Sequence, residues 1–267
     1  MVAPPAKKLA MILSHRHRLI VLHCRKAAGS SICVSLARLL GPADLQISAI
    51  AETLAQAIPL TRRVLREAWR HSPASLALAG GLGSRMRGRA LGRAIDHAYR
   101  PLLGRKPPHA PARRVALAFP REWRDYRKLA VVRNPWDKTV SDYFWRIQRL
   151  RRPPSFTAYV QALSEGHDLG GVVPLAFHDN WPMFTIDDRV VADHIIRFET
   201  LQADLTRAFR QLEVDWDGWL PRSKSGHRPG TAGSTARPGY RSFYTPELER
   251  LVGRLYRAEI ERFDYRF

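Results

Sequence analysis

The stretch His17–Leu40, HRLIVLHCRKAAGSSICVSLARLL, passes through three kinds of sequence in turn. Leu19 to Cys24 form a mainly apolar run of the length of a buried, central parallel strand. Arg25 and Lys26 close it. Ala27, Ala28, Gly29, Ser30 and Ser31 are small, so backbone N–H groups there can approach an anion, and Ile32 to Leu40 continue at helical spacing. Strand, small-residue loop and helix start together offer unpaired amides and the positive end of a helix dipole, an anion-binding layout. A nucleotide triphosphatase loop has its lysine after the last glycine; here Lys26 precedes Gly29, which argues against an NTPase or kinase. The plain alternative is a tight strand-to-helix turn.

A second stretch, Lys128–Phe144, reads KLAVVRNPWDKTVSDYF. Leu129 to Val132 again have the length of a buried strand. Arg133 follows, with a guanidinium fork suited to a phosphate. Asn134 is a good N-cap, Pro135 fits the first helical position, and Asp137 stands three residues past the cap. Ser141 lies about two turns into that helix, so a strand-end arginine and a helix hydroxyl can grip one anion. A capped surface helix after an ordinary strand is the alternative.

Together these residues resemble the PAPS-dependent sulfotransferases, in particular the Golgi-type carbohydrate sulfotransferase superfamily and its bacterial relatives. Val132, Arg133, Asn134, Pro135, Trp136, Asp137, Lys138, Val140, Ser141 and Tyr143 match the family's second motif. Lys26, Ala28, Gly29, Ser30 and Ser31 match its opening loop, where Arg25 replaces a proline and Ala27 a threonine. Val190–Leu201 is similar to the family's strand ending in Arg197, Phe198, Glu199 and Leu201, and the tail ends in Phe263, Tyr265 and Phe267. The resemblance leaves residues 42–105 and the acceptor-facing loops uncovered. It implies an α/β fold, a P-loop-like nucleotide-binding core with a mainly parallel central sheet flanked by helices, plus a helical insertion. It also implies that 3′-phosphoadenosine 5′-phosphosulfate is the donor and adenosine 3′,5′-bisphosphate the product. Arg25, Lys26, Ala27, Ala28, Gly29, Ser30 and Ser31 would surround the 5′-phosphosulfate. Arg133 and Ser141 would hold the 3′-phosphate, and Arg197 would complete the cofactor set.

Sulfuryl transfer needs a base for the acceptor hydroxyl and positive charge for the leaving phosphate. Lys26 answers the second need. For the first, His109 is the leading candidate by its place before the second motif, where relatives carry a histidine with small neighbours. His178, in LAFHDNWPMFTI, is the next; Asp179 and Glu199 follow. For each histidine the alternative is an exposed loop residue. No HExxH or paired cysteine–histidine spacing points to a metal, and none is expected.

Composition agrees without deciding. A chain of 267 residues, 45% hydrophobic, can bury a core. Its formal charge is +20, and 17 Lys/Arg against 4 Asp/Glu between Arg62 and Lys128 place +13 of it in that quarter. Such charge implies an acidic partner. The rival function is a non-catalytic basic protein that binds nucleic acid or another anionic polymer. No helix-turn-helix, zinc pattern or aromatic RNA-binding signature supports nucleic acid, which is not expected as a partner. A glycan or glycolipid acceptor and peripheral contact with an anionic membrane are expected instead. No apolar run approaches the roughly 20 residues of a membrane span, and a soluble bacterial enzyme in the cytoplasm, or at the inner membrane face, is the expectation. Cys24 and Cys33 read as reduced, packed thiols.

The expected organisation is a basic N-terminal tail over 1–16 and one sulfotransferase domain over 17–267. Within it, 45–105 is a helical insertion broken at Pro59 and Pro73, with Gly80, Gly81 and Gly83 as a hinge. Phe156–Leu163 is a short helix. Residues 222–240, rich in Gly, Ser, Pro and Arg, read as a basic mobile loop.

Overall fold

A computed structural model describes residues 12–79, 81, 83–104, 107–148, 150–166, 178–221 and 239–267. The first elements are β1 (Ile12–Ser14), β2 (Leu19–Leu22), α1 (Gly29–Ala37), β3 (Leu45–Gln46) and α2 (Ile50–Ala55). There follow α3 (Arg62–His71), α4 (Pro73–Ala79), α5 (Ser84–Leu103), α6 (Ala112–Ala118), α7 (Pro120–Asp125) and β4 (Arg127–Val132). Next come α8 (Pro135–Ile147), α9 (Phe156–Glu165), α10 (Trp181–Phe184), β5 (Thr185–Ile186), β6 (Arg189–Val190) and β7 (His194–Arg197). The last are α11 (Leu201–Gln211), α12 (Pro246–Leu255) and α13 (Arg257–Phe263). The chain divides into two compact units. One comprises Met1–Cys24, Ala28–Val131 and Pro182–Ser223; the other comprises Arg25–Ala27, Val132–Trp181 and Lys224–Phe267.

The first unit holds a five-stranded sheet in the order β3-β1-β2-β4-β7. The α/β class is as expected, and the sheet is mixed. β2 and β4 run parallel, Leu19 opposite Arg127 and Leu22 opposite Ala130, while β1 is antiparallel to both β2 and β3. The apolar runs LIVL and LAVV are buried throughout because both faces of this central pair are covered. The expectation of a tail over 1–16 is corrected at its end. Residues 1–11 lie outside the described residues, but Ile12 and Leu13 are fully buried as β1, since two apolar residues beside β2 extend its ladder. Likewise Leu45 and Gln46, expected in the helical insertion, form the edge strand β3. Leu45 is buried there, and the Gln46 amide donates to the Ser48 carbonyl and Thr53 hydroxyl.

The insertion is otherwise helical. α2 and α3 pack on α5, and Gly88 allows the α2 crossing: a Cβ there would lie 2.7 Å from the Ala51 Cα. Thr61 caps α3 by accepting from the Val64 amide, and Pro73 opens α4. No described helix is long and apolar enough to cross a membrane. Cys24 and Cys33 are both buried and form no disulfide.

In the second unit, α8 begins as its sequence requires. The Asn134 carboxamide oxygen accepts from the Trp136 and Asp137 amides at 3.0 and 3.3 Å, with Pro135 in the first turn. α8, α9 and α12 pack together. The C-terminal segment closes on the start of α8: Asn134 donates to the Arg266 carbonyl at 2.9 Å, and the Phe267 ring meets Trp136 edge-on at 5.7 Å. Residues 222–238 of the expected mobile loop lie outside the described residues; Tyr240–Phe243 form a 3₁₀ turn.

Lys138, in the first turn of α8, is only 2% exposed and bonds Glu259 at 3.1 Å, with its ammonium 3.8 Å from the centre of the Tyr256 ring. Burial raises the Glu259 pKa more than the Lys138 charge lowers it. Such a pair is costly to break from one side. Lys138→Met should therefore destabilise the fold by roughly 3–5 kcal/mol, while Lys138→Met with Glu259→Leu should recover most of that loss. Urea unfolding of the three proteins measures both; equal midpoints for wild type and Lys138→Met would refute the pair's role.

Candidate functional site

The loop after β2 is held in an unusual backbone conformation. Lys26 and Ala28 both adopt the left-handed region, at φ 58° and 57°, although neither is glycine. Each costs about 1–2 kcal/mol, so the surrounding contacts must fix them. Two such contacts are visible in the second unit. The Asn180 side chain, fully buried, accepts from the Arg25 amide at 2.8 Å and donates to the Arg25 carbonyl at 3.0 Å, as a neighbouring strand would. Arg133 Nη1 donates to the Lys26 carbonyl at 2.6 Å.

Arg25, expected at the phosphosulfate, has a buried structural partner. Its Nη2 bonds Asp142 at 2.8 Å, and its Nε is buried without a partner. The other Asp142 oxygen accepts from Arg146 Nε at 2.7 Å and from the Tyr159 hydroxyl at 3.1 Å. Burial alone would raise the Asp142 pKa, but the Arg25 and Arg146 guanidiniums outweigh it and hold the carboxyl well below the usual range. Burial and the Asp142 charge push the Tyr159 phenol well up. The loop is thus anchored through Arg25 to α8.

Asp137, Ser141 and Trp145 follow one another at four-residue spacing along α8, so they share a stripe. Arg133 lies at its head, with Nε and Nη2 both donating to one oxygen of Asp137 at 2.9 and 2.6 Å. Lys26 lies toward its far end, its ammonium 5.6 Å from the centre of the half-exposed Trp145 ring, which the Arg25 guanidinium also covers at 5.3 Å. Lys26 of the first stretch and Arg133 and Ser141 of the second are therefore gathered around one face of one helix. Ser141 is half-buried.

In the first unit, Gly29 opens α1 with no acidic residue in the first turn. It must be glycine, since a Cβ would fall 1.8 Å from the His23 ring. The His23 ring lies 4.7 Å from that of His109. His109 Nδ1 is 3.0 Å from the His23 carbonyl. A carbonyl only accepts, so Nδ1 carries the proton and the neutral ring keeps its lone pair on Nε2. Ala27 is buried, as is Ser31, while Ser30 is half-exposed. Arg197 ends β7, where its amide donates to Asp204 at 2.9 Å. In the second unit, His178 Nδ1 lies 3.0 Å from the Tyr256 hydroxyl, and burial, then Lys138, lowers its pKa. Asp142 and Trp145 drew no functional reading from the motifs, because each acts through a partner far along the chain.

A cavity of about 590 Å³ opens at the amino ends of β2 and β4, lined by Arg18, Arg124, Arg127, Lys128, Asp193 and neighbours. Its cations are largely neutralised: Arg127 and Lys128 pair with Asp193, and Arg124 with Asp125. Among the described residues no group of three or more His, Cys, Asp or Glu could hold a metal ion. Comparison of the chain with family models, curated proteins and solved structures finds no match.

The Asp142 network predicts an ordered pair of effects. Asp142→Asn leaves two arginines without their buried counter-charge and should cost roughly 3–5 kcal/mol. Tyr159→Phe removes one hydrogen bond and should cost about 1 kcal/mol. Because the Asp142 pKa is depressed in the fold, its stabilisation is complete at neutral pH and is lost as pH falls below the unfolded value of about 3.9. Urea titrations at pH 7 and pH 3 test this; the Asp142→Asn penalty should shrink at the lower pH, and a constant penalty would overturn the assignment.

Proposed function

We propose that the chain is a sulfotransferase that moves a sulfuryl group from 3′-phosphoadenosine 5′-phosphosulfate to an acceptor hydroxyl, on a carbohydrate. The observation that carries this reading is the bond from Arg133 to the Lys26 carbonyl. It joins the two stretches of sequence that look like anion loops, and both follow the carboxyl ends of adjacent parallel strands, where ligands of α/β sheets bind.

The residues present suit an anionic nucleotide. The left-handed Lys26 and Ala28 turn the loop backbone in the manner of an amide nest, and the first turn of α1 offers amides and carries no acidic residue of its own. The bound donor supplies the electrophilic sulfur. Lys26 then stabilises the charge that gathers on the bridging oxygen as it leaves with the 5′-phosphate. His109, with its lone pair on Nε2, accepts the proton of the attacking hydroxyl; His178, tied to Tyr256, is the second candidate. Ser141 and Arg133 hold the 3′-phosphate. Since Arg133 also tethers the loop, Ser141 is the cleaner probe of that contact.

Calorimetry with adenosine 3′,5′-bisphosphate, AMP and ATP tests the cofactor class. A preference of about ten- to a hundredfold for the 3′-phosphate over AMP is expected from charge-assisted contacts, and Ser141→Ala should reduce it while AMP binding holds. Equal affinities for all three would leave a non-catalytic polyanion binder as the better reading.

The catalytic roles separate in variants. Lys26→Ala should depress turnover more than nucleotide affinity, and Lys26→Arg should rescue poorly, because a wide fork does not replace a compact ammonium. His109→Ala should lower the rate by about two to four orders of magnitude and leave nucleotide binding intact. His178→Ala should cost much less; the reverse ranking transfers the base to His178.

A further inference from the structure

We propose that the outer face of α3 docks on an anionic lipid bilayer. Arg62, Leu65, Arg66, Trp69 and Arg70 are all exposed and fall at three- and four-residue intervals, which places them on one face. The opposite face, Arg63, Val64 and Ala68, is buried. Leu65 is 40% exposed and Trp69 49%. α5, packed against α3, adds an exposed Met86 at 55% together with exposed Arg89 and Arg93. Three of the five large exposed hydrophobic side chains among the described residues thus lie on these two helices. The acidic residues of the α2–α5 layer, Glu52, Glu67 and Asp96, are all half-buried, Asp96 lying three residues past Arg93.

Charge complementarity selects the occupant. Alternating arginine with leucine and tryptophan matches the bilayer interface, where guanidiniums meet lipid phosphates, an indole sits at headgroup depth and aliphatic groups enter the acyl boundary. A nucleic acid would use the arginines but leave Leu65 and Met86 hydrated, since aliphatic side chains neither stack on bases nor bond to phosphates. A bilayer uses both halves of the stripe. The inference does not depend on the sulfotransferase reading, because none of these residues belongs to the nucleotide loop or α8.

Co-sedimentation of the full chain with phosphatidylcholine vesicles, with and without phosphatidylserine, tests it. Wild type should bind only the vesicles that contain phosphatidylserine, and brominated lipid should quench a tryptophan signal that Trp69→Phe lacks. Arg66→Gln with Arg70→Gln should weaken binding about 25-fold, roughly fivefold per arginine. Leu65→Ser with Trp69→Ser should weaken it by about tenfold or more at unchanged charge; both positions are exposed, so the thermal melt should match wild type. Equal binding to neutral vesicles, or none to either, overturns the proposal. So does wild-type binding by the Leu65→Ser, Trp69→Ser protein, or tighter binding to duplex DNA that this variant leaves untouched.

Discussion

A single buried carboxylate, that of Asp142, sets the position of the loop on which the proposed chemistry depends. It accepts from Arg25 on one oxygen and from Arg146 and Tyr159 on the other. Two guanidiniums around one carboxylate leave this cluster with surplus positive charge inside the fold, an arrangement that proteins keep for specificity more readily than for stability. The Asn180 side chain restrains the Arg25 backbone at both its N–H and its carbonyl. The next residue, Lys26, then enters the left-handed region with its carbonyl turned to Arg133. The loop is therefore positioned by three contacts from α8, its N-terminal approach and residue 180, and not by intrinsic preference.

Much of the architecture was legible in the sequence because it rests on short-range rules. The runs LIVL and LAVV announced buried strands, and Asn134-Pro135 announced the start of α8; both readings depend only on neighbours. The strand β1 was missed because three residues after a basic, proline-rich start carry too little pattern, and only the partner β2 makes them a ladder. Gln46 was missed likewise: a glutamine reads as helical until Ile12 of β1 pairs with it. The arrangement of the candidate residues was legible only in part. Lys26, Arg133 and Ser141 could be named from motif spacing, and α8 gathers them on one stripe. The Arg25 pairing with Asp142 was not legible, because nothing local reveals a carboxylate 117 positions away. Trp145 gave no signal for the same cause.

Position and chemistry also part at the histidines. His109 and His178 look alike as loop histidines beside prolines and aromatics. Their partners distinguish them: a backbone carbonyl fixes one tautomer for His109, whereas a phenol, able to donate or accept, leaves His178 either one. The difference arises from His23 and Tyr256, residues that no reading of the immediate neighbourhood would bring in.

The burial of Lys138 has a chemical consequence as well. The chain has seven lysines against a far larger number of arginines, so amine-directed reagents meet few targets. An ammonium that is 2% exposed, paired with Glu259 and covered by the Tyr256 ring, is shielded from acylation as long as α8 and α13 stay together. Its labelling rate becomes a clock for the opening of that core, and a slow one, set by the protein's breathing and not by the reagent.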